Sequence, residues 1–465
     1  MSPSSIEAAR AALSHLPMDN SDRAIEAKSR DFYWYSPVLK PRLDKVKADF
    51  VVSPRTEAEV IEVLRICHAY GCPVTVRGSG TGNYGQAMPL AGGCVMHMQN
   101  MNSVLGIAPG RVTVDPGCTL RDIDRACIDH SGQELRLLPS TAGTATVGGF
   151  VSGGSGGVGS CRWGWLRSPG NLIRLRVVTM EAEPRVLELT GDELARVSHA
   201  YGTNGIVTQI ELPLAPAYDW IGVLVTFPTF PGAAQFAEDI GNQPGILAKN
   251  ISVFEAPIAH DYFQRVRPHV DSDTNVASIM VAPQSLQALL TEVAHYDGAQ
   301  VIYRSDTSQW DRDPGILYEY GWNHTTLRAL KVDPAITYLQ AQYPAEGGVD
   351  LAEQMRRAFP GEVLQHLEVI RNGARTEFVG LPLVRFTTEA RLQEIIDAHE
   401  AAGIMIFNPH CYTLEEGGRQ TVDDIQLRFK QEADPQGLLN PGKMISWDRP
   451  DWDYSELYQY AGQRT

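Results

Sequence analysis

Residues 73–85 read Pro-Val-Thr-Val-Arg-Gly-Ser-Gly-Thr-Gly-Asn-Tyr-Gly, and this stretch decides the fold. A short apolar strand runs into a loop with glycines at 78, 80, 82 and 85, one arginine, and several hydroxyl or amide side chains. Glycine lets the backbone come close to a ligand and take positive φ. Successive backbone N–H groups in such a loop converge on an anion. The pattern asks for a phosphate-bearing nucleotide.

Gly80-Thr-Gly82-Asn-Tyr-Gly85 matches the G-x-G-x-x-G dinucleotide fingerprint in letters but not in context. That fingerprint needs a helix opening at the loop and an acidic residue about 20 positions later. Gln86-Ala-Met-Pro-Leu-Ala-Gly-Gly93 follows instead, and no Asp or Glu occurs between Glu62 and Asp115. A second glycine-rich segment, 139–164, alternates small and hydroxylated residues. Such a stretch can wrap a large flat ligand through backbone groups. A flexible Gly/Ser linker is the other reading, but Val147, Phe150, Val151, Val158 and Trp163 interrupt it.

Taken in order, these segments resemble the FAD-binding domain of the vanillyl-alcohol oxidase / p-cresol methylhydroxylase (PCMH-type) superfamily. The resemblance runs over about residues 50–215. It starts with Ser53-Pro-Arg-Thr-Glu-Ala-Glu-Val60 and Pro73 to Gly82. It continues through Val112-Thr-Val-Asp-Pro-Gly117, Pro139-Ser140, Ala145-Thr-Val-Gly-Gly149, Arg162-Trp-Gly164 and Gly202-Thr-Asn-Gly-Ile-Val-Thr208. Asp434-Pro-Gln-Gly-Leu-Leu-Asn-Pro-Gly-Lys443 resembles a C-terminal signature of the D-lactate and glycolate dehydrogenase-like branch. The resemblance implies an α+β chain: a two-lobe FAD-binding domain, then an α/β cap whose antiparallel sheet is backed by helices. The expected division is an extension over 1–45, the FAD domain over 46–218, the cap over 219–405, and a tail over 406–465 that returns to the FAD domain.

Composition agrees with two cores. The chain has 465 residues, 43% hydrophobic and 20% charged, too long for one ordinary core. A net charge of −15 argues against a nucleic-acid partner. No run of 18 apolar residues and no secretory leader is read, so no membrane span and a cytoplasmic location are expected. Seven cysteines without a C-x-x-C pair point to free thiols rather than an iron–sulfur or zinc site. A homodimer is among the assemblies open to such a chain.

Local signals place the motifs. A capping box at Thr56 starts a helix that stops at Gly71, with Val60, Val63, Leu64 and Cys67 inward. Thr119 caps a second helix, with Leu120, Ile123 and Cys127 inward. Strands are read at 223–227, 276–281, 301–304, 336–343 and 363–370, and helices at 285–296, 350–359 and 389–402. A last helix is read with Thr421 as cap and Val422, Ile425 and Phe429 inward. The segment 29–37, Ser-Arg-Asp-Phe-Tyr-Trp-Tyr-Ser-Pro, is assigned no function.

The resemblance implies FAD held by Arg77, Gly78, Ser79, Gly80, Thr81, Gly82 and Asn83 of the first loop. Pro139, Ser140, Gly143, Thr144, Thr146, Gly148, Gly149 and Gly153 would hold it from the second. Arg77 suits a buttress for the loop better than a phosphate ligand. Ile206 and Val207 sit where the family's backbone meets the adenine or flavin ring, though an ordinary strand core fits them as well. Relatives that attach the flavin covalently carry a histidine at the position of Thr81 or a cysteine at that of Thr144, so non-covalent FAD is expected.

Three clusters compete for the substrate. Tyr318, Tyr320 and Trp322 would form one face of a strand, followed by Asn323, His324 and Lys331. His366 and Glu368 share another strand face, as an oriented base or two metal ligands. The branch's metal motif H-x-G-D-G-N is absent, and no metal is assigned. Asn408-Pro-His410 sits where the branch carries its final active-site segment, which points to His410 as the flavin- or substrate-facing base with Asn408 orienting it. The expected reaction is oxidation of an alcohol carbon by hydride transfer to flavin N5, foremost in a D-2-hydroxy acid. Arg304, Arg328, Lys331, Arg371 and Arg385 are the cations weighed for its carboxylate. A phenolic or polyol alcohol, or an electron-transferring flavoprotein subunit, are the alternatives. The electron acceptor is left open among a quinone, a cytochrome, an electron-transfer protein and oxygen.

Overall fold

The computed structural model describes residues 3–464. Strand Val74–Arg77 lies parallel to Cys94–His97, which lies parallel to Phe50–Val52. Between the first two, residues 78–93 form no helix, so the Rossmann reading is excluded by the backbone itself. Helix Glu57–Ala69 covers this sheet with Val60, Val63, Leu64 and Cys67 buried. The Thr56 hydroxyl accepts from the Glu59 N–H at 3.2 Å, and the Glu59 carboxylate accepts from the Arg55 N–H at 2.7 Å. The box therefore closes one residue earlier than its usual pattern.

The second half of this lobe is antiparallel. Its strands run in the order Val104–Ala108, Arg111–Val114, Ile206–Pro216, Arg174–Val178, Val186–Thr190. Gln133–Leu135 pairs with the far end of Ile206–Pro216. Helix Leu120–Ser131 packs here with Thr119 as its cap and Gly132 closing it at φ +64°.

The cap is an eight-stranded sheet, ordered Gln300–Arg304, Ile221–Phe227, Asn275–Val281, Ala248–Phe254, His366–Asn372, Arg375–Gly380, Ala341–Tyr343, Met405–Ile406. Helices Phe230–Asn242, Gly348–Ala358 and Glu389–Ala401 share its main apolar cluster. A different cluster joins the two lobes: Leu175, Val207 and Ile210 belong to it together with Ile370, Val379 and Leu381 of the cap.

Three readings of local structure are corrected. The strand expected over 363–370 breaks at Gln365: Val363–Leu364 pairs with Leu383–Arg385, and His366–Asn372 belongs to the eight-stranded sheet. The strand expected over 336–343 is two short ones, because the chain changes sheets at Leu339-Gln340. Ile336–Tyr338 pairs with Leu383–Arg385, and Ala341–Tyr343 joins the large sheet. The tail helix is Asp424–Ala433, and its cap is Asp423 rather than Thr421. The Asp423 carboxylate accepts from the N–H groups of Ile425 and Gln426, both at 3.1 Å. That frame leaves Ile425 54% exposed and Val422 39% exposed, while Phe429 stays buried. All seven cysteines are unpaired and buried. Among the described residues no helix is long and apolar enough to cross a membrane.

The tail continues onto the first sheet. The Val74 N–H donates to the Leu438 carbonyl at 2.9 Å, and the Asn440 N–H to the Val74 carbonyl at 2.8 Å. Between the lobes, buried Lys249 of the cap meets buried Glu134 of the first lobe at 2.9 Å, and the Trp220 indole N–H donates to the same carboxylate. Removing one member of a buried pair leaves the other charge without compensation, at a cost of about 3–5 kcal/mol. Lys249→Met should therefore lower the urea midpoint of unfolding by an amount corresponding to about 3 kcal/mol or more. An unchanged midpoint would show that the pair does not hold the lobes together.

Candidate active site

Between the lobes lies a cavity of about 730 Å³, within the usual size of a cofactor site. Its walls come from the loop 77–87, the glycine-rich segment, residues 199–207, the cap residues Gln340, Gln342, Val379 and Leu381, and the tail. The two glycine segments touch. A Cβ at Gly78 would lie 1.9 Å from the Thr146 hydroxyl oxygen, so only glycine allows this approach. Gly80 takes φ +67° with the Arg77 guanidinium packed beside it.

The first loop passes a direct test for an anion. Among the described residues, the N–H groups of Ser79, Gly80, Thr81, Gly82 and Asn83 donate to no protein acceptor. Main-chain donors are seldom left unpaired unless water or a ligand takes them, and a run of them suits phosphate. Arg77 holds the loop from behind, donating to the Arg30 carbonyl and, at 3.1 Å, to the Ser79 carbonyl. Burial lowers its pKa to about 10.

The second segment behaves differently from its expectation. Val147–Gly153 is a short helix capped by Thr146. Its first N–H groups are already used: Val147 donates to Cys118, Gly148 to Pro116, and Gly149 to the Thr146 hydroxyl. Thr146, Gly148, Gly149, Gly153 and Pro139 still line the cavity. Ser140 faces a smaller adjoining chamber. Gly143 and Thr144 stand away from it, Thr144 exposed and its hydroxyl turned onto the Thr141 carbonyl. Val207 reaches the cavity, whereas Ile206 is buried in the core under the parallel sheet. Adjacent strand residues point to opposite faces, so only one of the two could arrive.

The three histidines separate. His410 is buried outside the cavity with both ring nitrogens engaged. Its Nε2–H donates to the Tyr338 carbonyl at 3.0 Å, and its Nδ1 accepts from the Ser36 hydroxyl at 2.7 Å. Burial holds the ring neutral, with a pKa of about 4. It ties the N-terminal segment to the cap and has no free nitrogen for a base. Asn408 caps the His410 N–H at 2.9 Å, which fixes this histidine but away from the cavity. His366 is likewise buried, stacked on Phe254 with its Nε2 2.8 Å from Glu368. His324 lines the smaller chamber.

The aromatic face also divides. Leu317–Tyr320 is a 3-10 turn, not a strand, so the period of two does not apply. Tyr318 packs into the inter-lobe cluster and Tyr320 into another cluster beside Phe263, with its hydroxyl on the Pro314 carbonyl. Trp322 and Asn323 do reach the cavity. Lys331 is exposed. Arg304 pairs with Asp306, Arg385 with Asp333, Arg328 lies over Tyr320, and Arg371 bonds main-chain carbonyls. None of the five cations lines the cavity.

Other residues do. His199 lines the cavity at φ 55°, and Tyr201 at φ 51°. Such angles are rare for bulky side chains and persist only where the surroundings impose them. Here the His199 and Tyr201 N–H groups donate to Val151 and Ser152. The His199 Nδ1–H donates to the Gly154 carbonyl at 3.1 Å, which fixes the tautomer and leaves Nε2 with the lone pair. Arg167 and Arg419 line the same cavity. Asp31 lines it too, from the segment assigned no function, and accepts from the Tyr33 and Ala87 N–H groups. Burial raises the Asp31 pKa and lowers that of Lys443, whose ammonium donates to the Gly85 carbonyl. In sequence, only the nearness of His199 and Tyr201 to the Gly202–Thr208 motif signalled them.

Residues 48–188 match the family model of an FAD binding domain. The chain is 31% identical over 439 residues to the glycolate oxidase subunit GlcD of Bacillus subtilis, covering 86% of this chain and 89% of that one. It is 28% identical over 434 residues to the D-lactate dehydrogenase of Archaeoglobus fulgidus, covering 88% and 94%. Against an uncharacterized FAD-linked oxidoreductase of Mycobacterium tuberculosis the match is 31% over 219 residues and spans less than half of either chain, 44% and 45%. The solved structure of 4-ethylphenol oxidase from Gulosibacter chungangensis superposes with a TM-score of 0.69 at 18% identity, over 95% of this chain and 97% of that one. Sequence identity sustained over most of the chain means that this protein belongs to the FAD-linked oxidoreductase family of the glycolate oxidase subunit GlcD, with FAD as its cofactor and a fold shared with 4-ethylphenol oxidase.

Proposed function

We propose that this protein oxidises the alcohol carbon of a small D-2-hydroxy acid. The observation that carries the reading is His199, a neutral imidazole held in one tautomer on the cavity wall within the field of Arg167. The full-length similarity to proteins named for glycolate and D-lactate supports it. Bound FAD supplies a two-electron acceptor for the hydrogen leaving the carbinol carbon.

The chain's own residues do the rest. Burial lowers the His199 pKa to about 4, with Arg167 adding to the effect. Above that pH, Nε2 carries a lone pair and accepts the substrate hydroxyl proton. Arg419, which has no ion-pair or hydrogen-bond partner among the described residues, and Arg167, 3.3 Å from Asp423, receive the carboxylate. Both arginines are exposed, and charge-assisted hydrogen bonds are the means by which they hold a carboxylate. The unpaired N–H groups of 79–83 hold the cofactor's phosphates. The Bacillus subtilis relative is named as a subunit, and a partner chain that takes the electrons onward is part of this proposal.

His199→Asn keeps a residue that tolerates positive φ but removes the base. It should retain FAD and slow flavin reduction by D-lactate or glycolate by ~100-fold or more; a wild-type rate would remove His199 from the mechanism. In the unaltered protein, the reduction rate should stay level near neutral pH and fall as pH drops through about 4, where the imidazole takes up its proton. A rate that rises on acidification would contradict a base at this position. FAD is bound without a covalent link, since Thr81 stands in the first loop where a histidine would be needed. Acid precipitation should leave all the flavin in the supernatant, and flavin retained in the pellet would reverse that assignment.

A further inference from the structure

Between Glu134 and Glu181 the sequence holds no Asp or Glu, but five arginines, at 136, 162, 167, 174 and 176. The fold neutralises Arg174 with Glu188 and Glu211, and Arg176 with Glu57 and Glu188. Arg167 meets Asp423 at the cavity wall. Arg136 and Arg162 meet no carboxylate among the described residues. Both guanidinium groups lie over the Trp163 ring instead, 4.2 and 5.1 Å from its centroid. Arg136 donates to the Gly170 carbonyl at 3.1 Å, and its buried Nε has no acceptor. Burial and then the charge of Arg162 lower the Arg136 pKa, so the two cations repel each other. Arg371 stands beside them. It bonds the Gly241 and Ala374 carbonyls and no carboxylate among the described residues. The Cys161 thiol lies in the field of both Arg371 and Arg162.

One rigid turn joins this face to the cofactor cavity. Trp163 ends the helix Ser160–Trp163, Gly164 takes φ +75°, and Trp165 lines the cavity with Arg167 and Ser168. A Cβ at Gly164 would lie 2.9 Å from the Arg371 carbonyl, so the turn sits directly against the strand that carries Arg371. The buried Asn171 amide donates to the Trp163 carbonyl at 2.7 Å and to the Trp165 carbonyl at 2.8 Å. Both indoles pack on the cluster that joins the lobes. Arg162 is exposed, and Arg136, Trp163 and Arg371 are half-buried. None of the four lines either cavity described above. They form an open face, not a pocket.

We propose that this face docks an acidic surface of the electron-accepting partner chain, with Arg136, Arg162 and Arg371 receiving its carboxylates and Trp163 as the aromatic anchor. The proposal rests on the reading that a partner chain takes the electrons onward. Guanidinium groups hold carboxylates in charge-assisted, often bidentate bonds. Arg and Trp are among the side chains that most often dominate a protein interface. A carboxylate arriving here offsets the repulsion between Arg136 and Arg162. The chain as a whole carries a net charge of −15, so the rest of its surface disfavours the same partner. Complementary and opposing fields of this kind set the orientation of an encounter. The partner is thereby brought to the side of the molecule where Trp165 and Arg167 form the cavity wall.

The test uses the FAD-loaded full chain, reduced anaerobically with stoichiometric dithionite so that no substrate is involved. The acceptors are cytochrome c, a basic protein, and the same cytochrome with its lysines succinylated, which makes it acidic. Each haem takes one electron, so two are reduced per flavin. Net charge alone would favour the basic form. The acidic form should instead be reduced faster at an ionic strength of about 0.01 M. It should lose that advantage near 0.15 M, as the screening length falls from about 30 Å to about 8 Å. Arg162→Glu and Arg136→Gln should both keep their FAD. Arg162→Glu should slow the acidic form by ~10-fold or more and leave the basic form as fast or faster. A fluorescein-labelled deca-glutamate peptide, followed by anisotropy, should bind the wild type, bind Arg136→Gln more weakly and fail to bind Arg162→Glu. No binding of the peptide to the wild type, or binding unchanged in both variants, would overturn the proposal. Peptide binding that is lost in Arg162→Glu, beside an acidic cytochrome that is not favoured or not reduced, would uphold the docking face and sink the electron-accepting reading alone.

Discussion

The loop from Ser79 to Asn83 leaves consecutive main-chain N–H groups unpaired on a cavity wall, and the surrounding structure holds it in that state. Ser79 to Gly82 are half-buried, so their donors are left to water or a ligand rather than to protein acceptors. Several long-range contacts impose it. Arg77 bonds the Arg30 and Ser79 carbonyls from behind. The Phe32 N–H donates to the Gly82 carbonyl at 2.7 Å, and the Gln99 amide to the Ser79 hydroxyl at 2.8 Å. Lys443 reaches the Gly85 carbonyl at 2.6 Å from the far end of the chain. The N-terminal segment and the tail thus converge on one loop, and the cost of holding it open is returned when an anion fills it.

The same economy appears in the cap, where buried polar groups specify geometry. Glu368 is a carboxylate with no solvent exposure, yet it accepts two short hydrogen bonds and faces His366. A buried charge is tolerated only with such partners. What it gains is a tryptophan held at positive φ on the cavity wall. Lys249 and Glu134 play a comparable part between the lobes, where the pair fixes how one sheet meets the other. Such pairs add little net stability, but they define one arrangement of the walls around the cofactor.

His410 and His199 show how position in space, not residue type, assigns a role. Both are kept neutral by burial at a pKa of about 4. His410 has spent both nitrogens on Tyr338 and Ser36. His199 has spent one on Gly154. Only the second keeps a ring nitrogen without a hydrogen bond; it lines the cavity and lies in the field of Arg167.

By itself the sequence determined the cofactor class, the fold family and most secondary structure, because those follow from short-range chemistry. Capping hydroxyls at Thr56 and Thr119, glycines at 78 and 80, and apolar periodicity along Glu57–Ala69 act within a few residues of one another. Tertiary structure alone decided which side chains share the cavity. Tyr318 and Tyr320 were expected beside Trp322, but a 3-10 turn leaves only Tyr318 in the cluster that holds Trp322 and sends Tyr320 into another. Asp31, Arg167, His199, Gln342 and Arg419 come from five distant segments, and no local period links them. Their meeting depends on how two lobes dock and where a tail returns, which is the sum of many long-range contacts rather than a signal any one stretch carries.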